Sequence, residues 1–428
     1  MKVSFYNIGC KLNFAEMSQM QKQFEDEGYE VVDFKAPSDI VLINTCTVTS
    51  SADADCRKII RKAIRNNPNA FIGVMGCYSQ LKKDEVIDID GVDAVLGTNN
   101  KFDIQNLIKN FEKKRSPEVF ISELDDATFH NASSFENKSR TRVVLKIQDG
   151  CDYVCTYCAI PFARGGSRSM DFDELRDKLI ELNQSDIYEI ILTGINLGDY
   201  KTPSGEKFVD VIRLIAGLDL KYRVRISSIE PNLLSDEIID IVKNSDNLCK
   251  HFHIPLQSGS NDILKLMKRR YQVDVFEKLV HKIKAEIPDC CIGVDVIEGF
   301  PGETDEHFNE TYDLLSGLPI SYLHVFSYSE RDNTPSQSYP KQVAPKIKKK
   351  RTNILRKLSD MKNSGFIKSQ LGTTRVVIPE TSKMVEGRKI FTGWTDNYVK
   401  VEFPIEVLNV KTARVKLIDV HKGIVRGK

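Results

Sequence analysis

The sequence predicts an α/β protein built from three folded parts. These are an N-terminal doubly wound parallel sheet, a central open (β/α)6 partial barrel and a small C-terminal OB-like β-barrel. Short apolar runs alternate with helical patterns up to about residue 115, and again from Val143 to Phe326. Such alternation favours parallel strands with crossover helices. From about Gly372 the apolar residues recur with a period of two, which is typical of a small all-β unit.

Length and composition set the domain organisation. The 428 residues are too many for one hydrophobic core, and 41% hydrophobic with 28% charged residues is ordinary for a globular protein. Periodicity is lost around Ser133, Ser134 and the polar run from Glu136 to Arg140, which we interpret as a linker. The predicted parts are a first domain at 1–115, a linker at 116–140, the barrel at 141–345, a basic helix at 346–368 and the C-terminal domain at 369–428.

Targeting and membrane signals are missing from the sequence. No apolar stretch approaches the roughly 20 residues of a membrane span, and the start at Met1 lacks the apolar stretch of a signal peptide. We therefore expect a cytoplasmic protein that does not contact a membrane. In that compartment the ten cysteines are expected to be thiols or metal ligands.

Charge is concentrated at one end of the chain. The segment from Lys346 to Lys428 holds 20 Lys or Arg and 7 Asp or Glu, a net charge of +13, whereas the whole chain is only +1. The preceding 345 residues are therefore at −12. This asymmetry predicts an RNA-binding end on an acidic body, although a solvated helix face would explain part of it.

Three cysteines follow separate predicted strands of the first domain. Cys10, Cys46 and Cys77 come after the strands predicted at Val3–Ile8, Ile40–Asn44 and Phe71–Met75, and a fourth strand is predicted at Ala94–Leu96. Carboxyl ends of parallel strands share one edge of the sheet, where ligands bind in this architecture. A helix starts soon after each cysteine, and its dipole favours anionic thiolates.

Three cysteine ligands without a fourth indicate a four-iron, four-sulfur (4Fe-4S) cluster with one open iron. The alternative is that these are buried cysteines at the ends of core strands. Cys56 lies within a helical pattern, and we interpret it as a packing residue. The same interpretation applies to Cys249, Cys290 and Cys291.

A second, more compact cysteine triplet follows the strand-like run Val143–Gln148. Cys151, Cys155 and Cys158 are separated by three and two residues. A structural zinc site usually has four protein ligands from paired CxxC arms, and the sequence has no second CxxC. A 4Fe-4S cluster held by three cysteines instead keeps one iron free to bind a small molecule. The alternative is three packing cysteines in a loop.

Further barrel strands are predicted to end in loops that carry polar residues and glycines. Those strands are Glu189–Leu192, Arg223–Ser227, His251–Pro255, Ile292–Ile297 and Tyr322–Phe326. Active sites of such barrels lie at the carboxyl ends of the strands. Glycine allows close backbone approach, and Glu230 and Gln257 can hydrogen-bond an amino acid or a ribose. The candidate cofactor-binding residues are Tyr157, Thr193, Gly194, Glu230, Gln257 and Gly299.

The triplet, with Tyr157 before its last cysteine, resembles the signature of radical S-adenosylmethionine (SAM) enzymes. In that family the open iron chelates the amino and carboxylate groups of SAM. Reductive cleavage of SAM then releases a 5'-deoxyadenosyl radical. The resemblance implies S-adenosyl-L-methionine as a cofactor and an electron donor as a partner.

Four longer strings are similar to those of the methylthiotransferases: Lys146–Cys151, Ile160–Gly165, His253–Gly259 and Gly299–Thr304. That family has a three-cysteine domain, a radical SAM barrel and an RNA-binding TRAM domain. The resemblance implies that Cys10, Cys46 and Cys77 hold an auxiliary cluster, and that the triplet holds the SAM cluster. The sequence departs from the family pattern at Met170 and at Glu298, which would need a partner if buried.

The resemblance implies that one SAM methylates a sulfide on the auxiliary cluster and that a second supplies the radical. The methylthio group then moves to the substrate, so we nominate cluster ligands rather than a catalytic acid or base. The strings around Cys10, Cys46 and Cys77 look most like the branch that modifies C2 of threonylcarbamoyladenosine beside the anticodon. The implied partner is the anticodon stem-loop of tRNA, not DNA. Alternatives are isopentenyladenosine in tRNA, a ribosomal-protein aspartate, or a non-catalytic iron–sulfur protein that binds RNA or carries electrons.

The basic end divides into a helical and a β pattern. Lys346–Lys368 has nine basic residues and one acidic residue, which predicts a helix with one packed and one charged face. A fully solvated helix is the alternative. In the β part, Trp394 and Tyr398 are candidates to stack on bases, although a core position is favoured for Tyr398.

Overall fold

The computed structural model describes residues 1–124, 127–135, 141–404, 408–409, 412–421 and 423–428. The run from Glu136 to Arg140, assigned to the linker from sequence, lies outside them. Within the described residues, no helix combines the length and apolar character needed to cross a membrane.

The first domain is a six-stranded parallel sheet in the order β2-β1-β3-β4-β5-β6. The strand order reverses between β1 and β3, which is the switch point where ligands bind in doubly wound sheets. Its elements are β1 (Lys2–Asn7), α1 (Lys11–Asp26), β2 (Glu30–Val32), β3 (Ile40–Thr45), α2 (Ser50–Asn66), β4 (Phe71–Gly76), α3 (Cys77–Leu81), α4 (Lys83–Ile87), β5 (Ala94–Leu96), α5 (Ile104–Leu107) and β6 (Glu118–Phe120).

Successive residues of the buried strand β3 face opposite sides of the sheet. Ile40 and Leu42 pack with Phe24 of α1, whereas Val41 and Ile43 pack with helix α2 on the other face. Helix α2 begins where the Thr49 side chain accepts a hydrogen bond from the Ala52 amide. The two apolar faces of each strand therefore place one helix layer on each side, as the alternation predicts.

The central domain is an open barrel of six parallel strands, β8, β11, β12, β13, β14 and β15. A bridge between Ser228 and His253 joins its two halves. The elements are β7 (Ala132–Ser133), β8 (Arg142–Lys146), β9 (Gln148–Asp149), α6 (Ile160–Arg164), β10 (Arg168–Ser169), α7 (Phe172–Asn183), β11 (Glu189–Thr193), α8 (Phe208–Gly217), β12 (Arg223–Ile226), α9 (Asp236–Asn244), β13 (His251–His253), α10 (Asn261–Leu266), α11 (Val273–Glu286), β14 (Cys291–Glu298), α12 (Asp305–Gly317) and β15 (Tyr322–Ser327). This arrangement confirms the predicted partial barrel.

The inner faces of the barrel strands enclose a polar space, which we call the lumen. Val143 and Leu145 of β8 point outward into the helix-packed core, and the intervening Arg142 and Lys146 point inward. The same alternation places Glu189 on the inner face of β11. Charged residues therefore line the lumen because the apolar positions of each strand are used to bind the helices.

The C-terminal part begins with helix α13 (Pro345–Gln370), whose Leu355 and Leu358 are buried in the core of the barrel domain. A six-stranded sheet follows, and it closes on itself because β16 pairs with both β17 and β20. Its strands are β16 (Thr374–Val385), β17 (Arg388–Thr395), β18 (Lys400–Pro404), β19 (Leu408–Asn409), β20 (Thr412–His421) and β21 (Ile424–Gly427). The small β-barrel expected from the period of two is therefore present.

The C-terminal barrel is fastened to the amino-terminal end of the central barrel. Arg223 and Arg225 donate hydrogen bonds to the backbone carbonyls of Val376, Trp394 and Thr395 at 2.8 to 3.0 Å. The Tyr398 ring lies 4.6 Å from the Trp394 ring and 4.7 Å from that of His251. Both aromatic side chains therefore face the central barrel, and this arrangement does not support stacking on RNA bases.

Two short strands lie in the region that the sequence assigns to a linker. β6 pairs with β5 and extends the first sheet, and β7 pairs with β8 of the barrel. The three residues Glu118–Phe120 are too few to produce a recognisable period, so pairing with a preformed edge decides their conformation.

Candidate active site with two cysteine triads

The structure brings Cys10, Cys46 and Cys77 to one edge of the first sheet. Cys10 lies between β1 and α1, Cys46 follows β3, and Cys77 begins α3. Burial raises the pKa of the Cys46 thiol to about 12, and the nearby Cys77 and Cys10 raise it further. A Cβ on Gly9 would lie 2.9 Å from Cys46 Cβ, so only glycine lets the two cysteine loops approach this closely.

Asn13 holds the loops of this first triad together. Its side-chain amide donates to the carbonyl of Ile8 at 3.0 Å and to that of Thr45 at 3.1 Å. The Asn44 side chain in turn donates to the Asn13 carbonyl at 3.0 Å. Sequence reasoning did not assign Asn13 a role, although it stands three residues after Cys10.

Cys151, Cys155 and Cys158 form the second triad in the loop after β9. The Cys151 sulfur accepts a hydrogen bond from the Tyr153 amide at 3.4 Å. Burial raises the pKa of both the Cys151 and the Cys158 thiols to about 12, and their neighbouring thiols raise it further. As in the first triad, the three sulfur-bearing side chains face one another in a largely apolar pocket.

The spread of the sulfur atoms distinguishes a cluster site from a single-ion site. Among the described residues, neither triad is a group whose three ligand atoms all lie within 4.8 Å of one another. Ligands of one tetrahedral zinc ion would satisfy that limit, since zinc–sulfur bonds are about 2.3 Å. Three thiolates at wider spacing suit a polynuclear iron–sulfur cluster. The donor sets therefore fit 4Fe-4S clusters.

Arg269 is a charged residue of the second triad that sequence reasoning missed. Its Nη1 donates to the Cys155 sulfur at 3.1 Å, and its Nη2 binds the carboxylate of Glu230. Burial raises the pKa of Glu230, and Arg269 opposes that shift. Glu230, predicted to bind the cofactor directly, therefore has Arg269 as its nearest charged partner. The only sequence signal was the basic run Lys268–Arg270 after α10.

Tyr157 and Gln257 border the second triad as the sequence predicted. The Tyr157 ring packs edge to face on Phe300 at 6.3 Å, and its hydroxyl lies 3.5 Å from Arg269 Nη1. Gln257 has a positive φ of 68°, and its backbone bridges to Val296 of β14. This strained turn points the segment toward the cavity described below.

Thr193, Gly194 and Gly299 lie at strand ends on the same rim. A Cβ on Gly194 would lie 2.7 Å from Gln148 Oε1, which accepts hydrogen bonds from the next two amides of the Gly194 loop. Gly299 has a φ of +74°, and a Cβ there would lie 2.6 Å from Lys348 Cγ. Both glycines therefore have a packing reason in addition to any contact with a cofactor.

A cavity of about 210 Å³ separates the two triads. One wall is Thr47–Thr49, directly after Cys46, and the opposite wall is Tyr157–Ile160, which includes Cys158. The barrel completes it with Gln257, Asp295, Ile297 and the segment Phe326–Ser329. Loops of both triads therefore open on one shared space.

A histidine–aspartate–histidine group lies in the lumen beside this cavity. Asp295 Oδ1 is 3.0 Å from His253 Nε2 and 3.2 Å from His324 Nδ1. Burial raises the pKa of Asp295, but contacts with the two histidines outweigh it and bring the pKa to about 2. The carboxylate therefore stays ionised next to the cavity.

The two departures from the family pattern have defined environments. Glu298 is buried, and its Oε1 accepts a hydrogen bond from Thr352 of α13 at 2.5 Å, which supplies the partner that burial requires. Met170 packs in the barrel core, and its carbonyl accepts from the Tyr200 hydroxyl at 2.7 Å. The packing cysteines Cys56, Cys249, Cys290 and Cys291 are all buried as expected.

Two family models match the chain. The radical SAM superfamily matches residues 145–315, and the uncharacterized protein family UPF0004 matches residues 2–97. A threonylcarbamoyladenosine tRNA methylthiotransferase of Bacillus subtilis is 39% identical over 97% of this chain and 93% of its own length. The chain belongs to the radical SAM methylthiotransferase family. A relative of the same name from Aquifex aeolicus is 33% identical over 94% of this chain and 96% of its own.

Another methylthiotransferase relative has a different substrate in its name. A tRNA-2-methylthio-N(6)-dimethylallyladenosine synthase of Acetivibrio thermocellus is 30% identical over 98% of this chain and 90% of its own. Among solved structures, the radical SAM methyltransferase TsrM of Kitasatospora setae has a similar fold, with a TM-score of 0.55 at 16% identity over 78% of this chain and 75% of that one. As a methylthiotransferase, the protein uses SAM and 4Fe-4S clusters.

Proposed function

We propose that this methylthiotransferase places a methylthio group on C2 of N6-threonylcarbamoyladenosine beside the anticodon of tRNA. The observation that carries the proposal is the near full-length similarity, at 39% identity, to a protein of that name. The relative named for dimethylallyladenosine is more distant, at 30%. The shared cavity supports the general reaction, because a substrate carbon in it would meet both triads.

In this proposal each triad holds one cluster. Cys10, Cys46 and Cys77 hold the auxiliary cluster, and Cys151, Cys155 and Cys158 hold the cluster that binds SAM. When bound, the clusters and SAM supply the methylated sulfur and the hydrogen-abstracting radical. The protein's own residues position these groups: Asn13 fixes the first triad's loops, and Arg269 donates to a sulfur of the second.

The cavity also offers an apolar contact for a base turned out of the RNA stack. Val48 and Phe326 line it and are 53% and 41% exposed, which is unusual for large apolar side chains beside a polar site. Enzymes that modify a base take it out of the stack and hold it against apolar or aromatic groups. In our proposal these two side chains contact the adenine.

The remaining partners follow from the charge distribution and the chemistry. Helix α13 and the C-terminal barrel, with a net charge of +13 from Lys346 onward, bind the phosphates of the anticodon stem-loop. We keep the domain limits 1–115, 141–345 and 369–428 as part of this proposal. An electron donor reduces the SAM cluster. The reaction takes place in the cytoplasm, where tRNA is processed.

Nucleoside analysis tests the proposal. The anaerobically reconstituted enzyme is incubated with SAM, a reductant and an anticodon stem-loop that carries either threonylcarbamoyladenosine or isopentenyladenosine, and the products are analysed by mass spectrometry. We expect a methylthio product from the first RNA. Product from isopentenyladenosine alone would transfer the protein to the other branch. Formation of 5'-deoxyadenosine without either product would reject both tRNA substrates.

A further inference from the structure

A second cavity, of about 560 Å³, lies where the three domains meet. It is lined by Cys10 and Lys11 from the first domain, by Arg142 and Ile191 from the barrel strands, and by Glu380 from the C-terminal domain. The wall that carries Cys10 belongs to the auxiliary-cluster site proposed above. A group bound in this cavity would therefore lie beside the auxiliary cluster and away from the SAM cluster.

Positive charge exceeds negative charge around this cavity. Glu189 is shared by three arginines, with oxygen–nitrogen distances of 3.4 Å to Arg142, 2.7 Å to Arg223 and 2.9 Å to Arg225. Glu380, 3.2 Å from Arg142, is the second carboxylate. With Lys11 added, four cations face two anions.

Two of these cations retain unused hydrogen-bond donors. Arg142 Nε and Nη1 are buried but make no hydrogen bond in the described structure, because the carboxylates of Glu189 and Glu380 lie at unfavourable angles. Lys11 makes no hydrogen bond or ion pair with any described residue. Other buried cations of the core, such as Lys101 and Lys146, each bind the carboxylate of Glu16. Buried donors without acceptors are costly, so this arrangement is complete only when an anionic group binds.

The proposed substrate carries one suitable anion. The threonylcarbamoyl group on N6 ends in a carboxylate, whereas the isopentenyl group is uncharged. C2 and N6 of adenine are separated in the ring only by N1 and C6, so a carboxylate attached through N6 lies within a side-chain length of C2. With C2 beside the cluster of Cys10, that carboxylate reaches the cavity of Lys11 and Arg142.

We propose that Lys11 and Arg142 bind the carboxylate of the threonylcarbamoyl group and thereby select this substrate over uncharged N6 modifications. The inference rests on the proposed function and adds specificity-determining residues to it. Arg142 provides a planar pair of donors for a carboxylate, and Lys11 provides a mobile point charge. An RNA phosphate in the cavity, or Lys11 acting only on the charge of the cluster, are the competing explanations.

The test compares the acid with a neutral isostere. The substrates are two anticodon stem-loops, one with threonylcarbamoyladenosine and one with its methyl ester, and kcat/KM for methylthiolation is measured with reconstituted holoenzyme. We expect wild-type enzyme to prefer the acid by at least about tenfold, the contribution of one charge-assisted contact. Equal rates on both RNAs would overturn the inference without any variant being made. If neither RNA reacts, the proposed function itself fails.

Lys11→Met locates the preference. We expect kcat/KM for the acid to fall about 10- to 100-fold and that for the ester to change less than about twofold. Lys11→Arg keeps the charge and should retain most of the preference. Lys62→Met, on the exposed face of α2, is the matched control and should leave both rates unchanged. Equal losses on acid and ester overturn the inference: with iron lost, they indicate support of the cluster, and with iron retained, a phosphate contact.

Discussion

Arg164 and Glu16 form a bidentate ion pair that connects the two triads. Arg164 Nη1 donates to Glu16 Oε1 at 3.1 Å and Nη2 donates to Oε2 at 3.0 Å, and both side chains are fully buried. Arg164 stands six residues after Cys158, and Glu16 stands six residues after Cys10. Lys101 and Lys146 also bind Glu16, at 2.6 and 2.9 Å. One carboxylate thus fixes the distance between the first domain and the barrel.

Glu16→Gln tests this connection. The substitution keeps the shape but leaves three buried cations without their shared anion, so we expect the free energy of unfolding to fall by about 3–5 kcal/mol. Thermal unfolding of the wild type and the variant measures the difference. Glu25→Gln makes the same change at an exposed position of α1 and should cost less than about 0.5 kcal/mol. Similar effects of the two substitutions would show that the buried network is not stabilising.

The same pair predicts how the difference depends on pH. Burial alone would raise the pKa of Glu16, but Arg164, Lys101 and Lys146 outweigh burial and hold it well below 4.5. A lowered carboxyl pKa contributes stability that is present above the unfolded-state pKa and is lost only as the pH falls through the folded-state value. The difference between wild type and Glu16→Gln should therefore be constant from pH 6 to pH 9. A steady change over that range would contradict this assignment.

The cysteine assignment predicts the iron content. Reconstituted wild-type protein should hold about eight irons per chain, and the triple variant with alanine at Cys10, Cys46 and Cys77 should hold about four. That variant should still form 5'-deoxyadenosine but not methylthiolate RNA. Cys56→Ala is the matched control, because Cys56 is buried next to the first triad and only donates to the Cys46 carbonyl at 3.3 Å. Full iron in the triple variant would refute the auxiliary site.

Arg269 is expected to tune the second cluster. A positive charge and a donated hydrogen bond at a ligand sulfur stabilise the reduced cluster, so Arg269→Met should lower its midpoint potential by on the order of 60 mV, the equivalent of about 1.4 kcal/mol for one electron. Redox titration followed by electron paramagnetic resonance measures this shift. Arg270→Met is the control, since Arg270 lies over the Tyr153 ring and donates to the Asp152 carbonyl. A larger shift in the control than in Arg269→Met would exclude this role.

The sequence predicted the positions of the cysteines because their placement depends on one simple rule. Cys10, Cys46 and Cys77 each follow a strand, and parallel strands end at one edge. The small strands β2 and β6 were missed, since three residues carry too little periodicity. These misses do not affect the site, because both strands lie at the outer edges of the sheet.

The supporting charges could not be predicted, because they depend on contacts between distant parts of the chain. Arg164 and Glu16 are 148 residues apart, and Arg269 and Cys155 are 114 apart. No local pattern indicates which buried cation meets which anion. Glu230 illustrates the limit: its place on the rim was recognised, but its pairing with Arg269 was not. Lys11 and Arg142 were likewise invisible as a pair until the domains were assembled.

Arg331 provides a last test of how the first domain is held against the barrel. It follows β15, and its Nη1 donates to Asp53 of α2 at 2.7 Å and to the Thr47 carbonyl at 3.0 Å, on the wall of the cavity between the triads. Arg331→Met removes both contacts and leaves the buried Asp53 with only Thr47 as a partner. Because a small displacement of reacting groups is costly, methylthiolation should fall at least about tenfold.

The loss in Arg331→Met should be specific to the step that needs both triads. Iron content and 5'-deoxyadenosine formation without RNA should stay at wild-type levels, because Arg331 does not touch a cysteine side chain in the described structure. Lys82→Met is a suitable comparison, since Lys82 also joins the first domain to this segment, through Asp332, but at an exposed position. An exposed ion pair contributes at most about 1 kcal/mol, so that variant should retain most activity. If both variants methylthiolate at the wild-type rate, the ion pair of Arg331 and Asp53 does not set the distance between the two clusters.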